Sequence, residues 1–395
     1  MSEAKSKKTN GYKGQIEIYY WSKLTSDDKL AGGDIRAKYV IPEMMKISNE
    51  ISYLLFPEDI LDKKFLGNHQ SLSKILLSFL VPVKVAKLLK KSGGSIRYFY
   101  CSTCYSWDIF PAILVKLFFH TKLICISHDT PKQLSGYSFY RENEIFSVPK
   151  SAIFTLIGKF QIFLLKYVEI PVSVSKFAMD FFTDQNVRKR AILSSNTIPS
   201  ILMGSEKNSR PYDLVILGRI IPRKNINYVI KSLKDRKYQR KIELLVITNS
   251  PESSVETEIM RDLDNNLINL TVKYNATEKE KFNLLKQSKI YVNLSKDENF
   301  SVAAMEAASM GVALIVSNHD FFSNIYCDAA IYVNENNTED VWAQISNLLN
   351  DSERINEYSE RSLSIASKYL AHSVARKDYK SIENIITGGK ENNEL

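Results

Sequence analysis

At 395 residues the chain is too long for one hydrophobic core, so two α/β domains are expected. Hydrophobic residues at 44% are enough to bury sheets, and a net charge of +9 favours anionic partners such as nucleotide diphosphates or an anionic membrane surface. Nucleic acid is not an expected partner, because no zinc-finger spacing, RNA-recognition signature or Arg-rich arm occurs. The four cysteines do not make a disulfide scaffold in a chain this long.

Residues 1–14 are polar and Lys-rich with no apolar core. They read as a disordered tail, neither a secretory signal nor a membrane anchor. No run of about 18 apolar residues free of charge occurs, so no transmembrane helix is expected and the expected location is cytoplasmic. A first strand is predicted over 15–21, followed by Ala31-Gly32-Gly33-Asp34 and a helix from about Ile35. Read alone, the Gly pair is a plain turn. Further strands are predicted over 52–56, 97–101, 123–127 and 170–174, the last leading into a helix over 176–183. Cys101 and Cys104 form a lone Cys-x-x-Cys with no second pair and no zinc-spaced His, so no metal is expected. The strand over 123–127 ends in His128-Asp129. A His at a strand end is most often a structural hydrogen-bonding group; the other role open to it is donating a hydrogen bond to a ligand.

Residues 71–91 are apolar and basic without one acidic residue, and 151–166 are similar, with Phe154, Lys159, Phe160 and Phe163. Such segments suit a bilayer surface, where apolar side chains enter the interface and Lys meets anionic headgroups. The alternative is a buried helix whose lysines snorkel to water. Pro82 is expected to kink or split the first segment.

The second half opens with a polar stretch, 204–212, read as an interdomain linker. Asp213-Leu214-Val215-Ile216-Leu217-Gly218 then reads as a strand ending in Gly. It runs into Arg219-Ile220-Ile221-Pro222-Arg223-Lys224-Asn225 and an amphipathic helix over 226–233. Two or three cations thus stand at a strand's carboxyl end. Gly218 lacks a Cβ where a ligand could approach. Arg219 can grip phosphate oxygens as a planar fork and Lys224 as a point charge; a solvated basic turn is the other reading. Asn225 is suited to capping the helix that follows. Residues 290–294 read as a buried strand. Glu298 follows it, just ahead of a helix over 300–310 that stops at Gly311. In open α/β sheets that is where ligands bind and where backbone N–H groups attract phosphate. Glu306 lies within the helix. Both carboxylates could accept hydrogen bonds from sugar hydroxyls, although on spacing alone a surface Glu and a helix-face Glu are the plainer reading. A strand over 329–333, helices over 339–349, 353–369 and 373–386, and a frayed tail over 388–395 complete the chain.

Taken together, these residues resemble the retaining glycosyltransferases of family 4, which have the α/β GT-B fold, two Rossmann-like doubly wound domains facing a central cleft. Gly218-Arg219 with Lys224 is similar to the family's Gly-Arg…Lys diphosphate site, and Glu298 with Glu306 to its Glu-x7-Glu pair. Residues 308–317 are similar to the helix-to-strand step that follows, and 191–198 to an Asn-Gly-Ile step, with Thr197 in place of Gly. The resemblance is strong over 213–332 and weaker before it. It implies an acceptor-binding domain over 15–203, a nucleotide-sugar domain over 213–371 and a last helix, 372–387, that crosses back to the first domain. It implies that Glu298 contacts the donor sugar, that Glu306 holds the nucleotide ribose, and that Arg219 and Lys224 neutralise the leaving diphosphate. Gly32 and Gly33 would pack against the donor phosphates, and His128 would stand near the reacting bond. Asn299-Phe300-Ser301 replaces the family's usual Gly-Phe-Gly, whose glycines let the backbone approach the donor hexose. The implied reaction moves a sugar from a nucleotide-diphosphate sugar to a saccharide or lipid-linked saccharide acceptor, with retention and without metal or other cofactor. Its expected setting is the synthesis of a bacterial surface polysaccharide. The departures at Asn299 and Ser301 keep a second reading open, a weak or inactive subunit of this fold that stabilises a partner transferase.

Overall fold

The computed structural model describes residues 18–21, 35–47, 51–55, 57–62, 65–66, 70–92, 96–104, 106–128, 156, 159–161, 163–180, 184–199, 209–234, 241–260, 263 and 267–387. The expectations for Gly32, Gly33, Asp129, both tails, half of 151–166 and most of 204–212 lie outside these residues.

Two six-stranded sheets organise the chain. The first contains β1 (Ile18–Trp21), β2 (Ile51–Leu55), β3 (Tyr98–Cys101), β4 (Lys122–Ser127), β5 (Ile170–Ser173) and β6 (Ile192–Leu193), in the order β2-β1-β3-β4-β5-β6. The second contains β7 (Tyr212–Leu217), β8 (Ile242–Thr248), β9 (Ile268–Tyr274), β10 (Ser288–Asn293), β11 (Ala313–Ser317) and β12 (Ala330–Val333), in the order β12-β11-β10-β7-β8-β9. Neighbouring strands are parallel throughout. A parallel sheet needs cover on both faces, which is why β3 and the centres of β10 (290–292) and β11 (313–316) read as continuous apolar runs rather than alternating ones. Each sheet accordingly sits between two apolar clusters. One face of the second sheet packs Val215, Tyr291 and Leu314 against the helix Val302–Ser309, and the other packs Leu214, Ile290 and Ile315 against the helix Ile226–Leu233.

Both sheets reverse direction beside their first strand. In the second, the chain builds β7, β8 and β9 to one side and returns to place β10 on the other. The crevice between the carboxyl ends of β7 and β10 is therefore the switch point, the place where doubly wound sheets bind ligands. The loops 218–225 and 294–301 flank it.

The last helix, Ala371–Thr387, lies in the first domain. Val374, Ala375 and Ile382 pack into the cluster formed by Ile124, Ile126 and Val172. Buried Arg36 donates to Asp378 and to the Ser195 carbonyl, and the Ser194 hydroxyl donates to Asp378 at 2.6 Å. The turn before the helix is tied in as well: Ile198 and Leu370 form a parallel bridge, and the Thr197 hydroxyl donates to the Tyr369 carbonyl at 2.7 Å.

Pro82 does not split its segment: Gln70–Ser92 is one helix with Pro82 inside it. Leu77, Val81 and Val85 bury the adjoining face against the helix Ser106–Phe119 and the strands beneath. That packing offsets the hydrogen bond Pro82 cannot make. Among the described residues no helix is long and apolar enough to cross a membrane.

Candidate functional site

The switch-point crevice is flanked by two loops that carry Lys224 and Glu298. At its β7 side, Gly218 has φ +144°, a conformation that favours glycine, and its N–H donates to the Ile247 carbonyl at 3.0 Å. The chain then turns through Pro222–Lys224, and Asn225 takes φ 53°, ψ 32°. The expected side-chain cap is absent. Asn225 instead fills a left-handed position that glycine or asparagine tolerates, and its Nδ2 donates to the Glu335 carbonyl at 3.1 Å. This turn aims Lys224 across the crevice at Glu298, the two forming an ion pair with both side chains largely buried. Lys296 N–H donates to the Arg223 carbonyl at 2.9 Å, which staples the two flanking loops together.

Glu298 is 7% exposed. Burial, the largest single influence, pushes its carboxyl up. The Lys224 charge, the Arg223 charge and hydrogen bonds from Lys224 and the nearby Ser295 hydroxyl outweigh it and hold the group below the usual carboxylate range. Glu298 is thus ionised at neutral pH. Arg223 contributes to that charge balance and was not singled out in the sequence; only its position one residue before Lys224 could have pointed to it.

Asn299 is buried, and its Nδ2 donates to the backbone carbonyl of His128 at 2.6 Å, a direct link between the carboxyl edges of the two sheets. His128 Nε2 lies 3.0 Å from the Ser102 carbonyl. A carbonyl only accepts, so Nε2 carries the proton and Nδ1 presents a lone pair. Burial, then the Arg36 charge, lower the His128 pKa from 6.5 to about 3 against the opposing Ser102 bond, and the ring is neutral. This corrects the expectation of a hydrogen-bond donor: the Nε2 proton is committed to Ser102, and Nδ1, buried and without a partner among the described residues, can only accept.

Ser301 has φ 49°, so the residue replacing the expected glycine adopts the left-handed backbone that glycine would. Asn293 Nδ2 donates to its hydroxyl at 3.1 Å, a bond that ties Ser301 to the end of β10. The helix begins at Val302, two residues later than predicted. Phe300 faces inward, its ring edge-on to Tyr369 at 5.3 Å, so only its backbone borders the crevice. The helix closes with a Schellman pair: Val312 N–H donates to Ala307 and Gly311 N–H to Ala308, with Gly311 at φ 65°.

Glu306 is 8% exposed and accepts from Lys281 at 2.5 Å. Burial pushes its carboxyl up, and the Lys281 charge only partly offsets this. Lys281 was missed in the sequence, since nothing local marks a Lys on one helix as the partner of a Glu 25 positions on. Arg219 stands exposed on the loop after β7, apart from the Lys224–Glu298 pair. The structure therefore brings Lys224, Glu298, Asn299 and His128 together, places Glu306 on the neighbouring helix, and leaves Arg219 at the rim. Among the described residues no cluster of three or more His, Cys, Asp or Glu could hold a metal. Cys104 and Cys125 approach to 3.0 Å inside the first domain.

Residues 200–364 match the family model described as glycosyl transferases group 1. No match was found among curated proteins. Solved structures share the fold across nearly the whole chain. HepE from Anabaena in complex with UDP-glucose has a TM-score of 0.66 at 11% identity, covering 93% of this chain and 100% of that one. Sucrose-phosphate synthase from Thermosynechococcus elongatus has a TM-score of 0.70 at 11% identity, covering 94% and 100%. A glycosyltransferase from Rickettsia africae has a TM-score of 0.66 at 12% identity, covering 95% and 100%. Residues 200–364 thus match a glycosyl transferases group 1 domain, and the chain has the two-domain GT-B fold.

Proposed function

We propose that this chain is a family 4 enzyme that transfers a sugar, with retention at the anomeric carbon, from a nucleotide-diphosphate sugar to a saccharide or lipid-linked saccharide acceptor in bacterial surface polysaccharide synthesis. The observation that carries this reading is the Lys224–Glu298 pair at the switch point, with the adjacent Asn299 bonded to the His128 carbonyl of the other sheet. Lys224 supplies the cation that meets the departing diphosphate, with Arg219 approaching from the rim and the N-terminus of the helix Val302–Ser309 adding its dipole. Glu298, ionised and fixed, accepts from donor-sugar hydroxyls. His128 Nδ1 accepts from a further hydroxyl. Glu306 receives the ribose diol. The reading assigns no covalent nucleophile; the leaving phosphate takes the acceptor's proton as it departs. HepE holds UDP-glucose, which makes a UDP-sugar the first donor to test.

The acceptor side supports a membrane-borne substrate. Ile75, Phe79 and Val83 are 59%, 59% and 48% exposed and follow one another at i, i+4 and i+8 on the helix Gln70–Ser92. Leu117, Phe118 and Phe163 are exposed on the same domain, and Lys87, Lys90 and Lys91 line the helix end. An apolar stripe flanked by cations suits the interface of an anionic leaflet. The test is to incubate the enzyme with UDP-, GDP- and dTDP-sugars and an extracted lipid-linked acceptor, then read the new anomeric centre by NMR. Release of one nucleotide with the donor's configuration preserved supports the proposal; an inverted product overturns retention.

A further inference from the structure

Lys281 is the strongest feature of the crevice that the proposed reaction leaves unused. It lies on the helix Glu278–Lys286, whose start is fixed by a capping box between Thr277 and Glu280. Its ammonium is held from two sides, 2.5 Å from Glu306 Oε1 and 4.8 Å from the centre of the Phe282 ring. Its side chain is 19% exposed and that of Glu306 10%, so this is not a loose surface pair. Glu278, one turn earlier on the same helix, would compete for Lys281. It is instead engaged across the cleft by Lys38 at 3.0 Å and by the Tyr39 hydroxyl. With Glu278 occupied by the first domain, Lys281 is left to Glu306.

We propose that Lys281 is a positioning residue for the donor site: by holding Glu306 it presents a fixed carboxylate to a ribose diol, and so selects ribonucleoside diphosphates over their 2′-deoxy counterparts. This rests on the proposed role of Glu306. A carboxylate has only acceptors to offer, and the ribose diol brings two donors. One oxygen is anchored by Lys281, and the lone pairs that remain face both hydroxyls. Removing the 2′-hydroxyl leaves part of a buried carboxylate unsatisfied, an asymmetry that makes polar sites reject analogues lacking a donor. Without Lys281, nothing of opposite charge among the described residues opposes burial and the Glu278 charge, both of which favour a protonated Glu306. A protonated, mobile side chain hydrogen-bonds to either ligand and loses the discrimination.

The test is calorimetric titration of the full chain with UDP, GDP and ADP, and then with the 2′-deoxy form of whichever binds. The wild type should prefer the ribonucleotide by about ten- to a hundredfold, the range expected for a hydrogen bond to a charged group. Lys281→Met should bind it about tenfold more weakly with the preference largely lost, and Lys281→Arg should restore both. A Lys281→Met protein that keeps the wild-type ratio overturns this inference while leaving the donor-site reading intact. A wild type that binds none of the three overturns both. Thermal melting of each variant checks the fold, and Lys281→Gln replaces the Met variant should that one unfold.

Discussion

The two domains share one architecture and differ in where their polar and apolar groups lie. In the second domain two ion pairs stand at the crevice, Lys224–Glu298 and Lys281–Glu306, each with both side chains less than one-fifth exposed. In the first, the principal buried ion pair, Arg36–Asp378, serves the interior, binding the last helix to the sheet. The large apolar side chains of its outer helices, Phe79 and Phe118 among them, face solvent. A doubly wound sheet provides a crevice in either case; the residues set around it decide whether it grips an anion or opens onto a surface. On the proposed reading the second domain holds the nucleotide sugar, and the first supplies one neutral ring and an apolar exterior.

That contrast can be broken at specific positions. Arg36→Met leaves Asp378 buried without its cation and should destabilise the first domain by about 3–5 kcal/mol, as loss of one partner of a buried pair does. Nucleotide affinity, carried by the other domain, should change little. Urea unfolding followed with and without nucleotide checks this, and equal loss of both would contradict the division. Lys224→Met removes the cation facing the diphosphate and should lower kcat by about 10²–10³-fold, comparable to deleting one preorganised charge-stabilising donor. Steady-state kinetics reads it, and an unchanged kcat would remove Lys224 from the site. Phe79→Ser with Phe118→Ser should weaken sedimentation with anionic vesicles by at least about tenfold, given roughly 1.5–3 kcal/mol per buried Phe. Turnover of a water-soluble acceptor should be unaffected, and unchanged sedimentation would sink the membrane-facing role.

The smallest effect expected is none at all. His128, with its pKa near 3, should show no titration between pH 5 and 8 in its ring NMR signals. Its linkage runs in one direction. The unfolded chain takes up a proton at His128 as pH falls below 6.5, while the folded chain does not until about 3. The residue therefore lowers stability progressively across that window as pH falls and leaves it level above. A ring that titrates near 6.5 in the folded protein would show that Nε2 is not committed to Ser102.

Much of this was legible in the residues because the signals are local. β7 with Gly218, β10 with Glu298 and the helix with Glu306 each announce themselves over about ten positions through apolar runs and turn residues. What stayed hidden depends on the distant chain or on backbone angles. In the sequence Asn225 reads as a cap and Ser301 as a lost glycine, yet both sit at positive φ, which composition alone does not reveal. The His128 tautomer depends on a carbonyl 26 residues earlier, Lys281 on a carboxylate 25 residues later, and Arg36 on Asp378 at a separation of 342. Pro82 misled because its helix is held by packing rather than by propensity.

The central claim is that the second domain's crevice binds the nucleotide of a sugar donor through Glu306 and its neighbours. A thermal-shift screen of UDP, GDP, dTDP and CMP sugars, with Glu306→Ala beside the wild type, tests it most directly. At a hundred times its dissociation constant a bound donor should stabilise the protein by about 2.7 kcal/mol. The account predicts a rise in Tm with one nucleotide family, lost in Glu306→Ala. No shift with any of them, or a shift of equal size in the variant, would contradict it.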